Sequence, residues 1–223
     1  MQTNGILVIN KPPNWTSFDV VAKIRNKLGV KKVGHTGTLD PMATGVLILC
    51  LGKATKLAQN MTGYDKEYVA EIMLGATTPT DDAEGELTPA KNVKKKSKTE
   101  ILETLKKFKG EIFQLPPQFS AKKVKGKRAY AMARKGEEVK LKPVKIKVHE
   151  LELISYKWPV VKLRIFCGKG FYVRALARDL GQKLGTGGYL SALQRTKVGP
   201  YTIKQAVSIE TAEEKNILPP PNL

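Results

Sequence analysis

The sequence GHTGTLDPMATG, residues 34–45, runs directly into the apolar segment VLILCL, residues 46–51. Three glycines allow tight turns in the first segment, and a short continuous apolar run is typical of a buried strand. Asp40 lies in the loop just before that strand, where a side chain can be held rigidly and still reach a ligand. Its alternative role is that of a turn former in the Asp-Pro pair.

Regular elements are expected on both sides of this stretch. Residues 6–9 form an apolar run that two prolines end, as expected for a strand. Residues 18–28 carry apolar side chains at helical spacing, with Thr16 or Ser17 as the N-cap and Gly29 as the terminator. Further along, the patterns predict strands over residues 68–74, 148–156 and 160–167, helices over 101–108 and 129–135, and a strand end followed by a helix over 171–184. The length favours one domain with an elaboration.

Positive charge is the strongest signal in the composition. The 223 residues include 39 Lys plus Arg against 20 Asp plus Glu, a net charge of +19 that attracts polyanions. Residues 116–147 hold 11 basic and 2 acidic residues, a local charge of +9, interleaved with Phe119 and Tyr130. Backbone neutralisation and base stacking need this combination, although a solubilising surface loop would also carry it. Nucleic acid is therefore the expected partner.

Several other classes of site are disfavoured. Cys50 and Cys167 lie far apart in apolar surroundings, so buried free thiols are expected rather than a zinc site or a disulfide. The chain has only two histidines, which argues against a metal–histidine cluster. No apolar run approaches the roughly 20 residues that span a bilayer. We expect a cytoplasmic protein without a membrane partner.

Two further groups of residues could carry chemistry. Tyr172 and Arg174 are expected on one face of a strand, a pair that suits a flat anionic or aromatic ligand. The alternative is a core tyrosine and a structural ion pair. The segment 75–86 contains Asp81 and Asp82 but lacks the spacing of a calcium-binding loop, so a solvated turn is expected there.

Several blocks in the same order resemble the bacterial tRNA pseudouridine-55 synthases, the TruB family, over residues 5–201. They are GILVINKP from residue 5, GHTGTLDP from 34 with ATG from 43, KEY from 66, QLPP from 114 with FSA from 119, GKRAYAMARKG from 126 and GKGFYVR from 168. The resemblance implies an α/β (α+β) fold, with a mixed, mostly antiparallel central sheet flanked by helices and a basic insertion at about 116–147. It assigns residues 1–210 to a catalytic domain and 211–223 to a short tail, without the PUA-type RNA-binding domain usual in the family.

The resemblance also implies an activity, the isomerisation of uridine-55 in the T loop of tRNA to pseudouridine, with the base flipped out of its stack. Asp40 matches the essential aspartate, expected as the nucleophile, and Arg174 matches its paired arginine. Tyr68 matches the tyrosine that stacks on the uracil and is the expected base for the C5 proton. The remaining pocket matches are His35, expected to help extrude the base, Tyr172 and Leu193. The resemblance implies that no cofactor or metal is needed. Three roles of Asp40 remain open: attack at C1′, attack at C6, and assistance in ribose deprotonation.

The basic insertion matches the family segment that closes over the T arm of tRNA. The side chains expected to bind RNA are Lys122, Lys123, Lys125, Lys127, Arg128 and Arg134. We expect a monomer whose lysine content compensates, through salt-sensitive phosphate contacts, for the missing domain. Two rivals remain: a non-catalytic tRNA-binding and folding chaperone, and an RNA glycosidase that would release free uracil.

Overall fold

The computed structural model describes residues 4–120, 122–124, 126–133 and 139–221. The strands are β1 (Gly5–Lys11), β2 (Val33–His35), β3 (Thr44–Leu51), β4 (Lys66–Leu74), β5 (Ala76–Thr77), β6 (Thr88–Pro89), β7 (Gly110–Gln114), β8 (Lys123–Val124), β9 (Lys127–Arg128), β10 (Val144–Lys157), β11 (Val160–Cys167), β12 (Gly188–Val198) and β13 (Tyr201–Thr202). The α-helices are α1 (Ser17–Lys27), α2 (Ala58–Met61), α3 (Lys98–Lys106), α4 (Ala129–Ala133) and α5 (Val173–Leu184). Short 3-10 helices cover Gly52–Leu57, Ile203–Gln205 and Glu214–Asn216. Within the described ranges, no helix is long and apolar enough to cross a membrane.

The chain divides into two compact units. Unit 1 comprises residues 1–69 and 193–223, and unit 2 comprises residues 70–192. Nine strands belong to one sheet, in which β4 and β12 carry residues of both units. Strand pairs β1–β3, β2–β3, β7–β10, β10–β11 and β12–β13 are antiparallel, and β3–β12 is parallel. The expected α/β class with a mixed, mostly antiparallel sheet is confirmed.

The strand β3 is the centre of unit 1. It pairs with β1 along its length, from Gly5 opposite Leu51 to Lys11 opposite Gly45. All side chains of residues 46–51 are buried. Burying a valine, leucine or isoleucine side chain contributes roughly 1.5 to 3 kcal/mol, so this strand supplies much of the stability of the unit. The buried strand predicted from VLILCL is confirmed.

The helix α1 begins at the predicted cap. Thr16 Oγ1 accepts a hydrogen bond from the Asp19 N–H at 3.1 Å, and Asp19 Oδ2 accepts one from the Thr16 N–H at 2.9 Å. This reciprocal pair is a capping box, which satisfies backbone donors that the first helical turn leaves open. Val20, Val21 and Ile24 form the buried face of the helix. The helix therefore starts one residue before the predicted position.

A close approach between β3 and β12 depends on Gly45. The two strands run parallel, with Gln194 opposite Thr44 and Arg195 opposite Gly45. Gly45 has a φ of 100°, and a Cβ atom there would lie 2.2 Å from the carbonyl oxygen of Arg195. Only a hydrogen atom fits in this space, so the strands can meet here only at a glycine.

Unit 2 contains the long antiparallel pair β10 and β11. Val148 lies opposite Cys167 and Lys157 opposite Val160, and β7 pairs with the other edge of β10. The predicted pair of strands is confirmed, with β10 beginning at Val144. The helix α5 ends at the left-handed residue Gly185, its C-cap.

Replacing Gly45 with alanine should destabilise the protein by about 3 kcal/mol. The added methyl group would overpack against the Arg195 backbone, and alanine disfavours the left-handed backbone conformation of this position. Gly29→Ala is the matched control, because Gly29 also has a positive φ, 63°, but a Cβ atom there would meet nothing within 4 Å. That control should cost about 1 kcal/mol. Urea unfolding of both variants measures the difference, and equal losses would contradict the close approach.

Candidate active site

Asp40 lies at the first position of a tight turn in unit 1. The Ala43 N–H donates to the Asp40 carbonyl oxygen at 3.0 Å, closing the turn. The turn former that was the alternative role of Asp40 is thus present. The Asp40 side chain is partly exposed, so it can be reached from solvent while its backbone is fixed. The two roles are compatible at this position.

Side chains from β1 and α1 hold the residues on either side of Asp40. Ser17 Oγ accepts from the Leu39 N–H at 2.9 Å and donates to the Leu39 carbonyl oxygen at 3.2 Å. Lys11, which has no exposed surface, donates from Nζ to the Pro41 carbonyl oxygen at 3.0 Å. It also donates to the carbonyl oxygens of Pro12 and Trp15, at 2.8 and 2.7 Å. These carbonyls compensate the cost of burying the ammonium group.

Arg195, on β12, holds the same loop from a third direction. Its side chain donates to the carbonyl oxygens of Val46 (Nε, 2.7 Å), Thr38 (Nη1, 3.3 Å) and Gly37 (Nη2, 3.1 Å). The residue is 2% exposed. Burial lowers the pKa of Arg195, whereas interactions with Tyr68 and Asp40 raise it.

Sequence reasoning missed Arg195. The signal that could have identified it is its position two residues after Leu193 on a strand, which puts both side chains on one face. Leu193 and Arg195 are both buried, whereas Gln194 between them is exposed. An arginine on the buried face of a strand needs acceptors, which marks it as a residue with a specific partner.

Tyr68 lies on the buried face of β4. The residue is 8% exposed, and it interacts electrostatically with the Arg195 guanidinium. Glu67, the preceding residue, accepts from Thr196 Oγ1 at 2.7 Å. Unit 1 thus brings together, around Arg195, two of the residues predicted for catalysis, Asp40 and Tyr68. Their assigned roles stay predictions.

The predicted pocket residue His35 occupies β2, a strand inside the segment expected to be a loop. It pairs with Leu49 of β3, and the next residue, Thr36, donates its N–H to the Ile48 carbonyl oxygen at 3.1 Å. The side chain of His35 is half-buried. Its part in extruding the base stays a prediction.

Tyr172 and Arg174 lie in unit 2, in a geometry that differs from the expected strand. Tyr172 is the N-cap of α5, and its carbonyl oxygen accepts from the Leu176 N–H at 3.2 Å, so Arg174 belongs to the first helical turn. The expectation that both residues share one strand face is wrong. Both Tyr172 backbone groups bond to the Gln114 side chain, N–H to Oε1 at 2.8 Å and carbonyl oxygen to Nε2 at 3.0 Å.

The Arg174 side chain is buried among acceptors of unit 2. It donates to the carbonyl oxygens of Thr80 at 3.1 Å and Phe119 at 3.0 Å, and Nη1 lies 3.4 Å from Asp82 Oδ2. The structural ion pair that was the alternative role of Arg174 is therefore present. The charge that Arg174 is expected to supply to Asp40 remains a prediction.

The acidic residues Asp81 and Asp82 do not form the expected solvated turn. Both are buried, and Asp81 Oδ2 lies 2.9 Å from Nη1 of Arg178. A turn is present, closed by the Asp81 N–H donating to the Thr78 carbonyl oxygen at 3.2 Å. The expected solvation is wrong, because arginines of α5, which the sequence separates from this loop by about 90 residues, supply the counter-charges. Burial raises the pKa of Asp81 to about 6, although Arg178 and Arg174 both lower it.

The basic insertion is described only in part. Lys122 is exposed, and β8 pairs with β9 in a short hairpin. Lys125 and Arg134 lie outside the described residues, as do the side chains of Lys123, Lys127 and Arg128. The α4 helix confirms the start of the predicted helix over 129–135. The assignment of these basic residues to RNA stays a prediction.

Neither cysteine takes part in a disulfide. Cys50 and Cys167 are buried free thiols, as predicted, and burial raises the pKa of Cys50 to about 11. In the part of the chain that the structure describes, no group of three or more histidine, cysteine, aspartate and glutamate residues could hold a metal ion.

Solved structures define the class of protein. One, described as the crystal structure of pseudouridylate synthase, matches 94% of this chain with a TM-score of 0.50 at 14% identity, which shows a shared fold. A Cbf5-Nop10-Gar1 complex matches 97% with a TM-score of 0.76 at 29% identity, and an H/ACA RNP bound to a substrate RNA containing 2'-deoxyuridine matches 92% with 0.70 at 28%. The chain spans 60% and 51% of the chains matched in those two complexes. The fold is that of the pseudouridylate synthases.

Sequence comparisons identify the family within this class. The TruB family pseudouridylate synthase (N terminal domain) matches residues 25–173, and the tRNA pseudouridylate synthase B C-terminal domain matches 174–218. A tRNA pseudouridine synthase B from Parabacteroides distasonis is 49% identical over 94% of this chain and 92% of its own length. Another, from Clostridium tetani, is 44% identical over 96% of this chain and 74% of its own length. The chain belongs to the TruB family, which confirms the predicted resemblance.

The raised pKa of Asp81 predicts a pH-dependent stability. Because the folded protein holds this proton more tightly than an unfolded chain, with its pKa near 3.9, the contribution is fully present below about pH 4 and is lost as the pH rises through about 6. The free energy of unfolding of wild type relative to Asp81→Asn should therefore fall by about 1 kcal/mol between pH 5 and 7.5. Urea unfolding at both pH values tests this, and parallel pH curves for the two proteins would contradict it.

Proposed function

We propose that this protein isomerises uridine-55 in the T loop of tRNA to pseudouridine, as a monomer in the cytoplasm. The observation that carries the proposal is the position of Asp40. The residue is partly exposed, while Ser17, Lys11 and Arg195 hold the backbone around it. A nucleophile held in one place lowers the entropic part of the barrier. Membership of the TruB family supports the choice of reaction.

The reaction breaks the bond between N1 of uracil and C1′ of ribose and forms a bond between C5 and C1′. The base must rotate between these events, C5 gives up its proton, and N1 gains one. No electron is transferred to or from the substrate and no water is consumed, so the chemistry requires no cofactor. A carboxylate that can attack the substrate and release it again, together with a base, is sufficient.

Asp40 and Tyr68 are the candidates for these two roles. The carboxylate form of an aspartate is the one that acts as a nucleophile. The half-buried His35 and Tyr172 are suited to contact a base that has left its stack, and Leu193 supplies apolar surface on the Arg195 strand. Base extrusion is a physical requirement, because C1′, C5 and C6 cannot all be reached in a stacked nucleotide.

Tritium release from tRNA labelled at C5 of uridine tests the activity. Wild type should release about one equivalent per tRNA, since isomerisation must free that hydrogen, and Asp40→Asn should release none because an amide is a poor nucleophile. The control is Glu103→Gln, which removes an exposed carboxylate on α3 and should behave as wild type. Asp40→Asn should still bind tRNA.

Other outcomes of this experiment would identify a different activity. Wild-type protein that binds tRNA without releasing tritium would overturn the proposal in favour of the chaperone. Free uracil in the supernatant would indicate the glycosidase. Release from tRNA in which position 55 is not uridine would overturn the position assignment.

Binding to tRNA should depend steeply on salt, because phosphate contacts release condensed counterions. Lys122 is an exposed lysine of the basic insertion. Lys122→Ala should reduce the slope of log K against log salt concentration by about 1. The matched control is Lys215→Ala, since Lys215 is exposed and pairs with Glu213 at 2.7 Å. Filter binding between about 50 and 200 mM salt measures both slopes, and a flat dependence for wild type would refute electrostatic docking.

A further inference from the structure

The Arg195 guanidinium group donates several hydrogen bonds inside unit 1. Nε, Nη1 and Nη2 donate to three different backbone carbonyls, and the group also interacts electrostatically with Tyr68. All three guanidinium nitrogens are therefore engaged. A buried arginine with this many specific partners costs far less to bury than an unpaired one.

The three carbonyls that Arg195 contacts flank the turn of Asp40. Gly37 and Thr38 precede Asp40 by three and two residues, and Val46 lies inside β3. One planar group thereby connects the start of the loop to the strand that follows it. Hydrogen bonds from a charged donor are stronger than those between neutral groups, so this connection restrains the loop.

The interaction between Arg195 and Tyr68 has a defined direction. Arginine remains protonated and has no acceptor, so the Tyr68 oxygen must accept from the guanidinium. This interaction places the tyrosine hydroxyl near the same group that holds the Asp40 loop.

Arg195 also attracts the Asp40 carboxylate electrostatically. Its own place is set by the parallel pairing of β12 with β3, where its backbone lies against Gly45. Ordinary core packing does not account for a fully buried cation at this point, because an apolar side chain would fill the same strand position without needing acceptors.

We propose that Arg195 is a positioning residue of the isomerisation, which keeps the Asp40 loop and the Tyr68 ring in one fixed relation. The proposal rests on the proposed function. In the proposed reaction, Asp40 and Tyr68 act on different atoms of the same uracil. A change in the distance between the two side chains therefore slows the reaction even when each side chain is intact. Arg195 acts through these two residues and does not touch the substrate.

The first experiment measures single-turnover tritium release with saturating enzyme, well below the unfolding temperature. Arg195→Gln should lower the rate per folded molecule by about 100-fold, as expected for a displacement of about 1 Å. The dissociation constant for tRNA should change by less than about threefold, since phosphate contacts dominate affinity. Arg195→Lys should recover about a tenth of the wild-type rate, because lysine keeps the charge but lacks the planar fork.

A matched control separates positioning from stability. Lys27 is another cation of unit 1 that donates to backbone carbonyls, those of Ile209 and Glu210. Lys27→Met should lower the unfolding temperature and leave the rate per folded molecule unchanged. If Arg195→Gln or Arg195→Lys behaves like this control, with lost stability and a rate within threefold of wild type, a positioning role is overturned.

A double-mutant cycle with Tyr68→Phe tests the interaction itself. Because Tyr68 is the candidate base, its loss removes the reaction itself, so the cycle is measured on urea unfolding midpoints. If Arg195 holds the ring through its hydroxyl, Tyr68→Phe should lower the midpoint less in the Arg195→Lys protein than in wild type. Full additivity of the two midpoint shifts would overturn the inference.

These readouts distinguish two failures. Wild type that releases no tritium would refute the proposed function, and the unfolding cycle would then decide on Arg195, with additive midpoint shifts overturning the tie to Tyr68. Wild type that is active, with a normal rate in Arg195→Lys and Arg195→Gln, would refute the positioning role alone.

Discussion

A cation can be buried in a protein only if it is given acceptors, and this requirement shapes the loop that carries Asp40. Lys11 and Arg195 are both buried in unit 1, and both direct their donors to backbone carbonyls of this loop. Because main-chain oxygens accept these bonds, the loop is restrained without using the Asp40 carboxylate as their acceptor. Gly45 allows β12 to come close enough to β3 for Arg195 to reach the loop.

Arginines that bond to backbone carbonyls and carboxylates also hold the loops of unit 2 to the first two turns of α5. Arg174 and Arg178 reach the acidic loop through Asp82 and Asp81, at 3.4 and 2.9 Å. They also donate to the carbonyl oxygens of Phe119 and Leu115, at 3.0 and 2.8 Å, which lie at the start of the basic insertion. The two arginines therefore hold the acidic loop and the start of the basic insertion to one helix. The raised pKa of Asp81 shows that burial outweighs its two counter-charges.

Positive charge thus has two separate uses in this member of the TruB family. A few buried cations fix the loops near the candidate site, and their positions are set by backbone acceptors. Most of the lysines among the described residues are exposed, and the net charge of +19 for the whole chain suits a polyanionic substrate. Exposed Lys122 exemplifies the second use and Arg195 the first.

The sequence by itself determined the regular elements, because their signals are local. The apolar run of β3, the cap of α1 and the alternation of β10 and β11 all lie within a few neighbouring residues. Motifs in the same order as in the family likewise identified it and nominated Asp40 and Tyr68. The partners of the charged side chains could not be predicted in this way. Arg195 meets Gly37 across 158 residues of sequence and Arg178 meets Asp81 across 97, and only the tertiary fold decides which distant backbone or carboxylate oxygens a buried cation reaches.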